Sequence, residues 1–549
     1  MTRYWVGGGS SAAWNATGNT NWGTASGVQD NASVPTSTDD VIFDGVGTGA
    51  SNSSLSANIS VKSIDFTGYA NILTHGAGVD LTVAGANATY KLSTGMTYTL
   101  SNAATSRTIF TATSGTTLIT TNGKVLGNFN LNGTGGTFQF QDTLNIGATA
   151  TLNLNAGTLD ANGQTFNIGL FLSANSGTRV MSALSGTWNL SGSGATIFSS
   201  TTSGMTWTFA ATINCTYSGS TGTRTITCNS LAIGALNITA GTDTVTLNST
   251  VCTDLSFAGF TGTWSSASIT VSGHFTLGTG MTVTSGSNAI TLTATSAKNF
   301  TTNGVQCNRP ITFNGVAGVW TLKDNADFGG ASARTLTVTN GTLTCVDGGS
   351  NRTITVGAVS VAAGGTLTLG SGTHIVNGTG AVWTVNASGT LNAGTSTIKF
   401  TDTTNTTTTF AGGGKTYATV WFSRGASTSA NTITGSNTFA VLKDDGTGTH
   451  SLLLTAGTTQ TLLTASGWQV SGTSGHLITV DSPTAATHAI VCTSGAISAD
   501  YLSVKNSIVS GGANAYAGAN SSDQGGNVGW QFMARGTPAI YAGFNALNK

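Results

Sequence analysis

The chain contains no glutamate. Its 19 acidic residues are all Asp, 19 Lys and Arg balance them, and charged residues make up only 7% of 549 positions. An ordinary soluble protein carries roughly a quarter. With no basic excess there is no electrostatic footprint for a nucleic acid, and no nucleic-acid partner is expected. The lack of Glu and shortage of Lys remove strong helix formers, so little helix is expected. No apolar run approaches the roughly eighteen residues of a spanning helix, and no membrane span is expected. The opening Met-Thr-Arg-Tyr-Trp-Val-Gly-Gly-Gly has no apolar signal-peptide core, so synthesis in a cytoplasm without export by the general route is expected. The six cysteines (Cys215, Cys228, Cys252, Cys307, Cys345 and Cys492) are scattered without paired metal spacing. They read as reduced, structural thiols.

What remains is Thr, Ser, Asn, aliphatic residues and 76 glycines, with only 4 prolines. Disorder usually combines low hydrophobicity with high net charge; here 38% of positions are apolar and net charge is zero. From Thr335 to Cys345 the chain reads Thr-Leu-Thr-Val-Thr-Asn-Gly-Thr-Leu-Thr-Cys. Leu336, Val338, Leu343 and Cys345 alternate with threonines, the period-two pattern of a half-buried strand. Asn340-Gly341 interrupts it, which predicts a tight turn with Gly at positive φ. Copies begin at Thr151, Ala235 and Thr366, each with Gly at its seventh position (Gly157, Gly241 and Gly372). A longer echo joins Thr111-Ala-Thr-Ser to Thr293-Ala-Thr-Ser, Thr121-Asn-Gly to Thr302-Asn-Gly, and Phe138–Asp142 to Trp320–Asp324. Such repetition predicts stacked units that share a core. The expected fold is all-β: a β-solenoid, as a right-handed parallel β-helix of about twenty residues per turn, with distinct N-terminal and C-terminal caps.

Four segments follow. Residues 1–60 form a Trp-rich cap or attachment module. Within it Tyr4, Trp5, Trp14, Trp22, Asp39, Asp40, Phe43 and Asp44 are the candidate residues, and three Trp can plug an open solenoid end. Residues 61–415 form the repetitive solenoid and 416–533 a more aromatic C-terminal β region. Residues 534–549 form a tail or cap. Asp523, Asn527 and Trp530 are the candidate C-terminal cap residues.

No motif carries catalysis. Asp39-Asp40 and Asp444-Asp445 are neighbours, and neighbours on a strand point to opposite faces. Asp324 and Asp327 read as turn chemistry, each Asp bonding nearby backbone. His75, His274, His374, His450, His476 and His488 lack local metal spacing, and His374 falls on an inward position of the repeat. No catalytic residue, metal site or cofactor is expected. Trp188, Trp207, Trp264, Trp320 and Trp383 are assigned to the core in preference to a sugar-stacking face.

Tyr4-Trp5-Val-Gly-Gly, Trp14, Trp22 and Pro35 through Asp39-Asp-Val-Ile-Phe-Asp44 resemble the opening of repetitive tail-fibre and tailspike-like virion proteins of tailed bacteriophages. Asp523-Gln-Gly-Gly-Asn-Val-Gly-Trp530 resembles their end, and the stretches from Trp421 and from Ile433 are also similar. The opening is further similar to autotransporter passenger adhesins. The phage resemblance implies a structural appendage of the virion, a tail fibre, tailspike or head-attached fibre. It also implies contact with other virion proteins, contact with the host surface (its glycans included), and a homotrimer. Low surface charge independently predicts a homo-oligomer. Two other functions fit the same fold: a secreted bacterial adhesin, and a polysaccharide depolymerase with carboxylates assembled only in three dimensions.

Overall fold

A computed structural model describes residues 1–17, 19–46, 51–329 and 334–536. Of the expected tail 534–549, residues 537–549 lie outside that range. The chain divides into two compact units, Met1–Thr284 and Ser285–Lys549. Each is a parallel β-solenoid, with about 21 turns in all.

The cause is the alternation of side chains. Strands such as Asp80–Val83, Thr187–Leu190 and Thr397–Phe400 follow one rule, every second residue buried and its neighbours half-exposed. A chain that alternates this way hides one face only if coils stack, because a single coil has no second layer to cover it. Stacking aligns like with like. In the first unit Leu152 lies between Phe129 and Phe171. In the second, Leu336 lies between Ile311 and Val359, and Leu343 between Trp320 and Leu367. Leu152, Leu154, Leu336, Val338, Leu343 and Leu367 are all fully buried, each contributing roughly 1.5–3 kcal/mol. Antiparallel pairing of named strands is confined, among the described residues, to Tyr4–Trp5 against Trp22–Gly23 and to Val346–Asp347 against Ser350–Asn351.

The structure revises the reading of Asn340-Gly341. Thr335–Thr344 is one ten-residue strand, and so is Thr151–Asp160. The glycine marks a bulged bend inside the strand, where the pairing register shifts, not a turn between two strands. Gly157 and Gly341 have φ of 82° and 77°. A Cβ on either would press onto carbonyl oxygens of the preceding coil, those of Gly133 and Gly136 or of Gly315 and Gly318. The Ala235 copy keeps the positive φ, 106° at Gly241, but there the glycine does lie between two strands, Leu236–Ile238 and Thr244–Asn248. Thr366 pairs with Thr342, so the structural partner of Gly341 is Gly365, not Gly372. Thr-Leu-Thr fits any inward-outward strand, and sequence likeness alone could not set its phase.

The longer echo is structural. Asp142 accepts hydrogen bonds from the backbone N–H of Thr121 (2.8 Å) and of Asn122. Asp324 does the same for Thr302 (2.9 Å) and Asn303. Each aspartate therefore clamps a turn of the coil before it, across 21 or 22 residues of sequence, and does not bond its own turn. The clamped Asn122 and Asn303 hold φ of 47° and 51°, a conformation Asn tolerates better than most residues.

Candidate functional site

The aromatic residues of segment 1–60 converge. Trp5, Trp14, Trp22 and Phe43 are buried to 1% exposure or less. Trp22 meets Trp5 and Trp14 edge-on at 5.2 and 5.4 Å, and Phe43 stacks on Phe66 of the next coil at 4.2 Å. The Trp22 indole donates to the Trp14 carbonyl at 2.7 Å. Tyr4 is half-buried in the strand Thr2–Trp5. The three tryptophan rings face inward, leaving polar atoms and main chain at the rim.

The carboxylates here are all engaged. Asp39 is buried and accepts from the Thr36 amide and hydroxyl at 2.9 and 2.8 Å. Burial raises its pKa, but those bonds outweigh it and hold the carboxyl below its ordinary value. Asp40 points the other way, to Lys62 at 2.9 Å and to Ser63. Asp44 is half-buried and accepts from the Val46 amide at 3.1 Å.

At the other end Asn527 bridges two coils. Its amide nitrogen donates to the Val504 carbonyl (2.7 Å) and to Asp523 (2.6 Å), and its oxygen accepts from the Ser507 amide (3.0 Å). The half-buried Trp530 donates to the Ser507 hydroxyl at 3.0 Å and lies 6.1 Å from Trp468. Asp523, Asn527 and Trp530 thus gather on the coil around residues 504–507.

The remaining sequence candidates are mostly interior. Trp188, Trp264, Trp320 and Trp383 are buried. Trp207 is half-buried and stacks on Phe209. His374 is fully buried, its Nε2 donating to the Leu369 carbonyl and its Nδ1 accepting from the Ile354 amide; burial lowers its pKa to about 4. All six cysteines are buried and free. Asp444 is buried while Asp445 is exposed, so neither adjacent aspartate pair shares a face. Asp327 is occupied by the Gly329 amide and Gln306, both at 2.8 Å. Among the described residues no three His, Cys, Asp or Glu groups come together as a metal site would require.

Two arrangements escape motif reading. The first is an outward ladder of five asparagines: Asn145, Asn167, Asn189, Asn214 and Asn237. From Asn167 onward each Nδ2 donates to the Oδ1 of the asparagine one coil earlier, at 2.7, 2.7, 2.9 and 2.9 Å in turn. Its signal was present in the sequence, since each Asn follows Thr-x or Ala-x and precedes an aliphatic residue or Cys. The steps of 22, 22, 25 and 23 residues hid it from a search at fixed period. No charged side chain takes part.

The second is buried charge, held differently in one cluster of each unit. In the first unit Arg224 and Asp243 form a closed two-pronged pair at 2.7 and 2.8 Å, with side chains 1% and 0% exposed. In the second, Arg424 reaches Asp402 (3.1 Å) and Asn431 (3.1 Å), Asn431 donates to Asp444 (2.8 Å), and Asp444 meets His450 (3.1 Å). These residues come from three successive corners between strands, and no local spacing announces them.

No family model matches the chain, and no curated protein or solved structure is significantly similar to it.

Proposed function

We propose that the chain is a structural appendage protein of a bacteriophage virion, a tail fibre, tailspike or head-attached fibre that associates with copies of itself. The observation that carries this reading is the asparagine ladder: five coils locked side chain to side chain on an outward face. Such a face adds stiffness along the stack without charge. It also carries few of the charged gatekeepers that keep β surfaces apart, which suits a chain whose outer faces pack against sister chains under closed symmetry. Three copies is the number the fibre resemblance implies. The aromatic cluster around Trp5, Trp14, Trp22 and Phe43 acts as the N-terminal plug of its coil, and the rim around it docks on other virion proteins. Asp523, Asn527 and Trp530 cap the coil around residues 504–507 of the second unit, and the host surface, glycans included, is the outer contact. The protein works without catalysis.

Mass spectrometry and immunogold labelling of purified particles test the assignment, with the protein expected at a fixed copy number per virion. Its absence from particles, or its recovery from the surface of uninfected bacteria, overturns it. Light scattering tests the assembly: a stable single-chain mass near 54.9 kDa at micromolar concentration refutes self-association. Release of sugar from host capsule by the purified protein overturns the non-catalytic reading.

A further inference from the structure

His450 differs from the other buried histidines in what its ring faces. His75 sets Nε2 against the Val79 carbonyl and Nδ1 against the Tyr98 hydroxyl, which can donate. His374 accepts an amide N–H at Nδ1. In His488, Nδ1 lies 3.2 Å from the Ser482 hydroxyl and Nε2 has no partner. All three arrangements suit a neutral imidazole. His450 instead has the Gly448 carbonyl 2.7 Å from Nδ1 and both Asp444 oxygens 3.1 Å from Nε2. A carbonyl and a carboxylate only accept, so both ring nitrogens must donate, and only the imidazolium does so. The ring is 5% exposed.

The charge count agrees. Arg424 and the His450 cation balance Asp402 and Asp444, and a neutral ring would leave one buried negative charge uncompensated. Arg424 is also a fastener, its guanidinium donating to the carbonyls of Asp402 (2.9 Å), Thr404 (2.9 Å) and Thr406 (2.6 Å). Through Asn431 and Asp444 that grip extends to the segment leading to His450, whose Gly446 amide also bonds Asp444 at 3.2 Å. Three corners, residues 401–407, 423–430 and 445–449, hang on one network.

We propose that this network is a proton-dependent latch: with His450 as a cation it holds the three corners closed, and loss of that proton releases them. Burial opposes the charge on His450 and Arg424 adds repulsion. The Asp444 carboxylate and the Gly448 carbonyl outweigh both, and the pKa is raised. The strand paired to that of His450 sets Ile478 opposite the ring and Asp481 opposite Leu453. A histidine held charged in the fold supports it fully below about pH 6.5 and ceases to as pH rises through the raised value. The latch therefore opens on the alkaline side.

Hydrogen exchange of the full chain at pH 6 and pH 9, corrected for intrinsic rates, tests it. Between about pH 6.5 and the raised folded pKa, protection of the three corners is expected to fall by up to about tenfold per pH unit and to level off above it, while the strands of the asparagine ladder do not follow. Unchanged corner protection, or equal loosening of every coil, overturns the proposal. His450→Gln should leave the corners weakly protected at both pH values, and a variant that retains the wild-type pH dependence overturns it. Nitrogen NMR of histidine-labelled wild type decides independently of any variant: at pH 6 both His450 nitrogens should carry protons, and a neutral tautomer there overturns the latch.

Discussion

The two units build the same coil, and one buried ionic cluster in each is held by opposite means. Arg224 and Asp243 in the first close on each other through two hydrogen bonds. Arg424 in the second shares its charge over a chain that ends on a titratable ring. Burying ions is expensive in either case. A closed pair fixes only two residues. A distributed cluster spans three corners and takes on the proton affinity of its weakest member. A shared fold therefore does not imply a shared way of holding charge.

That contrast can be broken most forcefully in the first unit. Asp243→Asn should strand a buried guanidinium and cost about 3–5 kcal/mol, measured by denaturant unfolding. A loss under about 1 kcal/mol would mean that the Ala240 carbonyl, 3.0 Å from the guanidinium, and the nearby Tyr217 ring suffice to hold it. The core should show no contrast: Leu152→Ala and Leu343→Ala should each cost about 2–5 kcal/mol, and a large difference between them would show that the two units differ in packing as well as in charge.

Acid sharpens the comparison inside the second unit. Burial holds His374 and His488 neutral, with pKa values lowered to about 4. The support each gives is complete above about pH 6.5 and drains away as pH falls toward 4, on the order of 3 kcal/mol apiece. With His450 acting in the reverse direction, this unit should be most stable in a band around neutrality. Urea midpoints followed from pH 4 to 9 check this, and a flat profile would contradict it.

Smaller effects probe what the units share. Gly157→Ala and Gly341→Ala should each destabilise by more than about 1 kcal/mol, because both need positive φ and both abut carbonyl oxygens; unchanged melting would refute the bend. Asn167→Ala removes two rungs of the ladder and should cost about 1–2 kcal/mol, the smallest loss in the series.

What could be foreseen follows from the range of the interactions. The inward residues were legible because period two is a local signal, and Leu152 and Leu343 lie where alternation puts them. The positive φ of Gly341 was legible too, but its setting was not: a turn and a bulged bend ask the same of the glycine, and only the neighbouring coil distinguishes them. Asp142 and Asp324 hold equivalent places in the two echoes, yet their partners lie 20 to 22 residues earlier, beyond any turn motif. The Arg424 cluster was invisible, since Asp402, Arg424, Asp444 and His450 meet only once coil register is fixed. Loops of unequal length erase that register from the sequence.

The buried cysteines have a practical consequence. Cys215, Cys228 and Cys252 fall in the first unit, Cys307, Cys345 and Cys492 in the second. Burial pushes the thiols of Cys215, Cys228 and Cys345 up to about 12, so while the coils are closed these three present almost no thiolate to a reagent. Each thiol is then a silent reporter that reacts only when its own coil opens. The time course of labelling by a thiol-reactive dye, followed cysteine by cysteine, would give the order in which coils part under heat or alkali, with no label engineered into the chain.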